Sequence, residues 1–550
     1  MAKVRLALAQ INPTVGAIEA NCNLIYDACV AAAKGGAHVV LLGEMSVTGY
    51  PIEDLATRDS FVSSAESAVT DLAAKLAKNG LGQLIVVVGH PALVAPEHRN
   101  GWAIAQNCAT VIVGGRSIGR YAKHHLPNYS VFDEYRNFIP GNDLLCFEHE
   151  GVKFGVVICE DIWQSGGPVA QLSEQNCDVA LILNGSPFEI DKDDRRLQLV
   201  QKLATDHEVV AAYVNLIGGQ DDLVFDGDSI VVDASGKLIG RALQFETDLL
   251  MVDINDGDAE LVSDHLVAKQ EDDWQAWNAL VLGLRDYCSK NGFKSVVLGL
   301  SGGIDSAVCA AIAADAIGAE NVYGISMPSV YSSDHSKSDA QDSAERIGCH
   351  YSTVPIEPMV QEFETQMQFS GIASENLQAR VRGVILMGLS NQHGHLTLTT
   401  GNKTELAVGY STIYGDSVGG FAPLKDVEKT LVWQLARWRN QLASTQGLTP
   451  PIPENSITKP PSAELRPGQV DQDSLPEYEV LDEILENYVN KRESLSQLLA
   501  RGFDEATVRR IISLVDRAEW KRRQSAIGPK ITGMAFGRDR RLPITNKHKE

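Results

Sequence analysis

Paired cysteines, an excess of positive charge and any long apolar run are all missing from this sequence. Its nine cysteines are scattered through 550 residues with no C-x-x-C pair. That spacing argues against a structural zinc site and against a disulfide framework, and it fits a reducing compartment. Lys and Arg number 48 against 71 Asp and Glu, for a formal net charge of −23. Phosphate neutralisation supplies most of the affinity of a general nucleic-acid binder, so no nucleic-acid partner is expected. No apolar run reaches the roughly 18 residues of a membrane span, so no membrane partner is expected either. The opening MAKVRLALAQINPTVG has a small basic start but no continuous apolar stretch or cleavage site, and it reads as a first strand rather than a signal peptide. A cytoplasmic location follows as the expectation. No internal repeat is visible.

What is present is the mix of an ordinary globular enzyme, 44% hydrophobic and 22% charged, in a chain too long for one core. In the first half, VRLALAQ, HVVLLGE, LIVVVGH, KFGVVICED, DVALILNGS and VVAAYVNLIG are short, β-branched-rich runs with helical stretches between several of them. This alternation predicts a layered α/β domain, with SIVVDASGKLIGRAL as an antiparallel hairpin. The composition turns acidic and polar near NDGDAELVSDHLVAKQEDD, so we place one domain at 1–255, a linker at 256–272 and a second domain at 273–550. The second half restarts the alternation with SVVLGL, VYGISMP, YSTVPI and LTLTT as strands. That is a doubly wound pattern, whose ligand site is expected at the strand carboxyl ends. TPPIPENSITKPPSAELRPGQVDQD reads as a long loop, of the kind that usually serves as a lid or stays disordered.

Two stretches carry chemistry. Between a strand and a helix lie Gly299, Leu300, Ser301, Gly302, Gly303, Ile304, Asp305 and Ser306. Adjacent glycines allow close approach of a phosphate, and the following helix N-terminus offers unpaired N–H groups. Asp305 would repel a bare phosphate, so its carboxylate is better suited to a magnesium ion bridging phosphates. No G-K-S or G-K-T follows the glycines, so this is not a Walker loop. S-G-G-x-D-S resembles the pyrophosphate-binding loop of the ATP pyrophosphatase superfamily, which implies cleavage of ATP between its α- and β-phosphates. In the first half, Cys159 ends a strand in Val156–Asp161, Glu44 ends HVVLLGE, and Lys123 lies in RYAKHHLPNY. Alone, a buried cysteine is more often inert packing. Together the three supply a nucleophile, a base and a cation for an oxyanion.

In their local motifs Glu44, Lys123 and Cys159 resemble the catalytic set of the nitrilase, or carbon–nitrogen hydrolase, family. A nitrilase-like αββα sandwich followed by a doubly wound parallel sheet of the ATP-pyrophosphatase type resembles the glutamine-dependent NAD synthetase family along essentially the whole chain. Glu375–Arg380, Thr400–Glu405, Tyr414–Asp416, Lys459–Leu465 and Lys521–Gln524 are similar to that family's synthetase motifs. The resemblance implies ATP as co-substrate, magnesium, glutamine as nitrogen donor and deamido-NAD as the carboxylate to be amidated. It implies glutamine contacts at Tyr129, Ser186 and Lys192, and ATP contacts at residues 299–306 with Thr400, Lys429 and Ser462. It also implies deamido-NAD contacts at Asn376, Arg380, Glu405 and Lys521, metal ligands at Asp305 and Glu405, and a homo-oligomer of at least two chains. The chain departs from the ammonia-dependent relatives at Ile413 and Gly420, where those carry a lysine and an aspartate. A tRNA-thiolating enzyme would need sulfur-carrying cysteines and a basic face, both lacking here. A non-catalytic nucleotide-binding scaffold would not need the intact Glu44, Lys123, Cys159 and S-G-G-I-D-S.

Overall fold

A computed structural model describes residues 3–99, 101–255, 258–262 and 266–548. The chain divides into two units, Met1–Gln220 with Val224–Glu271, and Asp221–Leu223 with Asp272–Glu550. No described helix is long and apolar enough to cross a membrane.

Among the described residues, two mixed sheets form the first unit. One has seven strands, in the order Asp258–Leu261, Asp248–Asn255, Val4–Gln10, Val39–Leu42, Ile85–Leu93, Ala105–Val113 and Arg116–Ala122. The other has six, in the order Leu238–Arg241, Ile230–Val232, Val210–Asn215, Val179–Asn184, Val152–Ile158 and Leu145–His149. Side chains alternate across a strand, and the alternation sorts them into layers. Leu6, Leu8, Leu41, Val156, Ile158, Leu181 and Leu183 join one core cluster between the sheets. Their neighbours Ala7, Ala9, Val40 and Leu42 face outward to the helices Ile18–Lys34 and Asp59–Lys78. Val157, Ala180 and Ile182 face the helix Lys192–His207 on the other side. Both faces of each central strand are covered, which is why these strands read as continuous apolar runs. This is the αββα sandwich. The expected hairpin is present, Ile230–Val232 pairing antiparallel with Leu238–Arg241.

Part of the segment expected to be a linker is strand. Asp258–Leu261 pairs antiparallel with Asp248–Asn255, and its polar composition suits an edge position. Residues 256, 257 and 263–265 of that segment lie outside the described residues.

In the second unit four parallel strands run in the order His350–Thr353, Val322–Ser326, Val296–Gly299 and Leu396–Thr397. The first strand in sequence therefore sits between the second and the fourth. The connections diverge there to opposite sides, so a crevice opens at the carboxyl ends of Val296–Gly299 and Leu396–Thr397. The helices Glu357–Met367 and Ile372–His393 cover one face through Val360, Leu377, Val381 and Leu386, which pack on Val297, Ile325 and Met327. A helical cluster containing Leu481, Ile484, Val508, Ile511 and Phe536 completes the unit. The proline-rich segment is not all loop: Glu454–Thr458 is helical and Asp471–Asp473 forms a 3-10 turn.

One glycine ties the first sheet to the segment bearing Glu44. A Cβ on Gly89 would lie 2.5 Å from the Met45 nitrogen and 2.6 Å from the Gly43 oxygen, and backbone atoms cannot yield as a flexible side chain can. Gly89→Ala should therefore lower unfolding stability by about 1–3 kcal/mol, as overpacking in a tight core does. Denaturant titration of the two chains measures it; equal midpoints would refute the close approach.

Candidate active sites

In the first unit, strand ends bring the expected triad together. Lys123 Nζ lies 2.8 Å from Glu44 Oε1, with the two side chains 1% and 0% exposed. A second carboxylate, Glu134, stands 2.8 Å from the same ammonium. Glu44 is fixed from both sides: Asn107 Nδ2 donates to Oε1 at 2.6 Å and the Gly185 amide to Oε2 at 2.9 Å. Tyr50 donates its hydroxyl to Glu134 at 2.9 Å. Burial opposes the charge of Lys123, but Glu134 and Glu44 more than offset it and hold its ammonium well above the ordinary range. Burial, aided by Glu44 and opposed by Lys123, pushes the Glu134 carboxyl up to about 7.

Cys159 follows the strand Val152–Ile158 in a left-handed conformation, φ 44°. A residue with a side chain rarely adopts it, and such strain clusters where function needs a side chain aimed out of the regular path. Burial, then the charge of Glu44, pushes the Cys159 thiol well up, with Lys123 acting against them. The sulfur therefore keeps its proton in the resting site and needs a base at the moment of attack. Asp161 locks this turn to the lysine segment. Its carboxylate accepts from the Ile158 amide, the Tyr121 hydroxyl and the amides of His124 and His125, at 2.6–3.1 Å.

Of the expected glutamine contacts, Tyr129 and Ser186 lie by this site. Tyr129, half exposed, donates to Glu160 at 2.9 Å, and Cys159 and Lys123 both bear on its phenol electrostatically. Ser186 is buried, its amide donating to Asn215 at 2.9 Å. The segment 186–187 is held by Arg196, which donates to the carbonyls of Ser186 and Pro187 and pairs with Asp226 at 2.8 Å. Lys192 pairs with Glu189 at 3.4 Å. Glu134, Asn107 and the four-donor role of Asp161 were not legible in sequence, because each depends on partners outside its own local motif.

In the second unit the loop 299–306 leaves the strand Val296–Gly299 and enters the helix Ile304–Ile317. Its two adjacent glycines differ in purpose. Gly302 has φ +78° and a Cβ there would meet the Ser336 carbonyl at 2.3 Å; Gly303 has no close backbone neighbour and can lie open to a ligand. Ser306 Oγ donates to the Gly303 carbonyl at 2.9 Å and accepts from the Ser301 amide at 3.3 Å, closing the loop.

Asp305 meets a cluster from two other elements. Asn402 Nδ2 donates to one carboxylate oxygen at 2.9 Å and Lys429 binds the other. Lys429 also lies 3.6 Å from Glu405, and Asn402 caps the helix Lys403–Val408 by accepting from the Glu405 amide at 3.0 Å. Burial and then Asp305 push the Glu405 carboxyl up to about 8, against Lys429. Two carboxylates thus share one buried lysine. Among the described residues no group of three His, Cys, Asp or Glu side chains is arranged as a metal cage. A pair of carboxylates is nonetheless what magnesium takes from a protein when phosphates complete its shell, so Asp305 and Glu405 fit that ion.

Of the expected dinucleotide contacts, Asn376, Arg380 and Lys521 bond to residues 409–413, while Glu405 lies beside Lys429. Asn376 accepts from the Thr412 hydroxyl at 2.7 Å, and Arg380 donates to the Ile413 carbonyl at 3.3 Å. Lys521 donates to the carbonyls of Gly409 and Ser411 at 2.8 and 2.7 Å. At Gly420 a Cβ would lie 2.8 Å from Leu396 Cδ1. Thr400 is half-buried, three residues beyond the fourth strand. Ser462 donates to the Gln469 carbonyl and accepts from the Glu464 amide at 3.1 Å.

The carbon–nitrogen hydrolase family model matches residues 5–263, and the NAD synthase family model matches residues 276–525. The glutamine-dependent NAD(+) synthetase of Acinetobacter baylyi is 45% identical over 552 residues, 99% of each chain. That of Thermotoga maritima is 40% identical over the full length of both. Among solved structures, the glutamine-dependent NAD+ synthetase of Acinetobacter baumannii, in complex with adenosine diphosphate, is 41% identical, with a TM-score of 0.78 and 99% of both chains covered. The Cytophaga hutchinsonii synthetase, 24% identical with a TM-score of 0.82, shares the fold. With near-complete coverage at this identity, and with a buried Glu–Lys–Cys site in one half and a glycine phosphate loop in the other, the chain belongs to the glutamine-dependent NAD(+) synthetase family.

Proposed function

We propose that the chain amidates the pyridine carboxylate of deamido-NAD to give NAD, consuming ATP and taking its nitrogen from glutamine. The observation that carries this reading is that one chain holds both a thiol against a buried Lys–Glu pair and an Asp305–Lys429–Glu405 cluster at a phosphate loop. The first can open an amide; the second can activate a carboxylate.

In the first half, Glu44 takes the thiol proton as Cys159 sulfur bonds to the glutamine carboxamide carbon. Lys123 stabilises the oxyanion, and the C–N bond breaks as the proton passes to departing ammonia. Water, deprotonated by Glu44, then attacks the thioester and releases glutamate with the thiol restored. Tyr129, Ser186 and Lys192 orient the glutamine. In the second half, residues 299–306, with Thr400, Lys429 and Ser462, bind ATP, and Asn376, Arg380, Glu405 and Lys521 hold deamido-NAD. The carboxylate oxygen bonds to the α-phosphorus and pyrophosphate leaves; ammonia then attacks the acyl carbon and AMP leaves. Magnesium brought with ATP would be held by Asp305 and Glu405 and would spread the charge of the phosphate chain. Glu405, on the helix that Asn402 caps beside Asp305, serves the metal and the substrate.

The experiment is incubation with ATP, magnesium, deamido-NAD and either glutamine or ammonium, following NAD, AMP and glutamate. Glutamine should yield all three together. In Cys159→Ala, glutamine-driven synthesis should fall at least about 1,000-fold, as loss of a nucleophile does, with ammonium-driven synthesis within about threefold of the parent. Equal loss from both donors would contradict the division of labour. Glu134→Gln should lower glutamine-driven synthesis about 10- to 100-fold by unbalancing Lys123, again sparing ammonium; an unchanged rate would mean Glu134 only packs. Asp305→Asn should cut pyrophosphate release about 100-fold with either donor, and an unaltered release rate would remove Asp305 from the mechanism.

A further inference from the structure

The helix Ile372–His393 carries a second pair of polar side chains to which the reading above gives no part. Gln378 and Arg382 are four residues apart, so they share one helix face a turn apart. Arg382 Nε donates to the carbonyl of Met327 at 2.9 Å, just past the carboxyl end of Val322–Ser326. Gln378 is buried; it donates to the Leu465 carbonyl at 3.2 Å and leaves its own Oε1 without a partner. Arg382 therefore meets the chain past the carboxyl end of Val322–Ser326, the strand that pairs with Val296–Gly299 at the crevice.

Arg382, half-buried, is set apart from the buried arginines. Arg196, Arg241 and Arg522 each pair with an acid, Asp226, Asp228 and Glu519, within 3.0 Å. Among the described residues Arg382 has one hydrogen-bond partner, a neutral carbonyl, and no carboxylate at ion-pair distance. Burial pushes its guanidinium down to about 10, against the more distant charges of Glu464 and Asp416. Those two acids mark its surroundings. Glu464 accepts from Ser333 and Ser336 at 2.9 and 2.7 Å, and the Ser336 carbonyl is the atom against which Gly302 packs. Asp416 accepts from the Thr412 amide, in the loop that Asn376, Arg380 and Lys521 hold. Arg382 thus feels one acid from the phosphate-loop side and one from the dinucleotide side. A half-buried guanidinium with no acid beside it keeps its remaining donors for an incoming anion.

We propose that Arg382 is a catalytic residue of the adenylation step, its guanidinium bridging the α-phosphate of ATP and the carboxylate of deamido-NAD. The inference rests on the NAD reading above. Both groups that must meet in that step are anionic, so their approach is repelled. A planar guanidinium carries donors on two edges and can hold both. As the carboxylate oxygen bonds to the α-phosphorus, the bond to the bridging oxygen breaks and its electron pair leaves with pyrophosphate; no proton moves, and the fixed cation stabilises the charge that gathers on the phosphoryl oxygens.

The test follows pyrophosphate formation by the full-length chain with deamido-NAD and saturating ammonium, so the glutamine site plays no part. Arg382→Ala should lower turnover about 100-fold, change ATP affinity less than about tenfold, keep the unfolding temperature, and regain activity on addition of guanidinium ion. Arg382→Lys, which keeps charge but not the fork, should fall between; should the alanine variant not fold, a drop of at least about tenfold in the lysine variant supports the proposal. Turnover within about twofold of the parent in either variant overturns it. So does loss that guanidinium cannot rescue and that tracks loss of ATP binding. Absence of pyrophosphate formation by the unsubstituted chain would overturn the NAD reading and this proposal with it.

Discussion

In each half of the molecule one lysine is buried between two carboxylates. Lys123 lies 2.8 Å from both Glu44 and Glu134, and Lys429 binds Asp305 with Glu405 at 3.6 Å. Two acids against one base leave an uncompensated negative charge in a medium that tolerates it badly. The protein answers by raising one acid of each pair, Glu134 to about 7 and Glu405 to about 8. The consequences differ because the third participant differs. In the first site it is a thiol, and burial, then the charge of Glu44, keeps Cys159 protonated until attack begins. Proton transfer to Glu44 is therefore coupled to S–C bond formation. In the second site the incoming group is a polyphosphate, which the same surplus would repel unless a cation accompanied it. The carboxylates Asp305 and Glu405 would thus suit a cation brought with the phosphates, whereas Glu44 and Glu134 stand beside a thiol that carries its own proton.

Such clusters survive only if the backbone carrying them cannot relax. Asp161 accepts four hydrogen bonds that join the Cys159 turn to the segment after Lys123. Asn402 joins the helix bearing Glu405 to Asp305 through a single amide. Neither residue has to touch a substrate, and each would be drawn toward other geometry if its partners were free.

Local chemistry was readable from the sequence; long-range pairing was not. The strands VRLALAQ, HVVLLGE and SVVLGL, the hairpin near residue 235 and the helix following Gly303 all lie where apolar period and turn residues put them. Glu44, Lys123 and Cys159 were found through their motifs and do converge. The strand at 258–261 was missed because its side chains are polar, and only its pairing with Asp248–Asn255 reveals it. Glu134 carries no local mark either: its role comes from Lys123, eleven residues before it in sequence, and Tyr50, 84 before it. A motif gives residue type and spacing, whereas the direction of a side chain in a loop depends on bonds that spacing does not encode.

Both sites also use the same device at the end of a buried strand. Cys159 at φ 44° and Gly302 at φ +78° each turn the chain out of the sheet in the left-handed region. For glycine that conformation is free of steric cost; for cysteine it costs about 1–2 kcal/mol. The difference in residue follows from the chemistry required. At the phosphate loop the ligand is to be met by backbone N–H groups, so the turn residue needs no side chain, and any Cβ at 302 would strike the Ser336 carbonyl. At the thiol site the side chain is itself the reagent, so glycine is excluded and the strain must be carried. The network around Asp161 holds Cys159 there, because a nucleophile that could relax into an ordinary strand conformation would no longer point at the carboxamide.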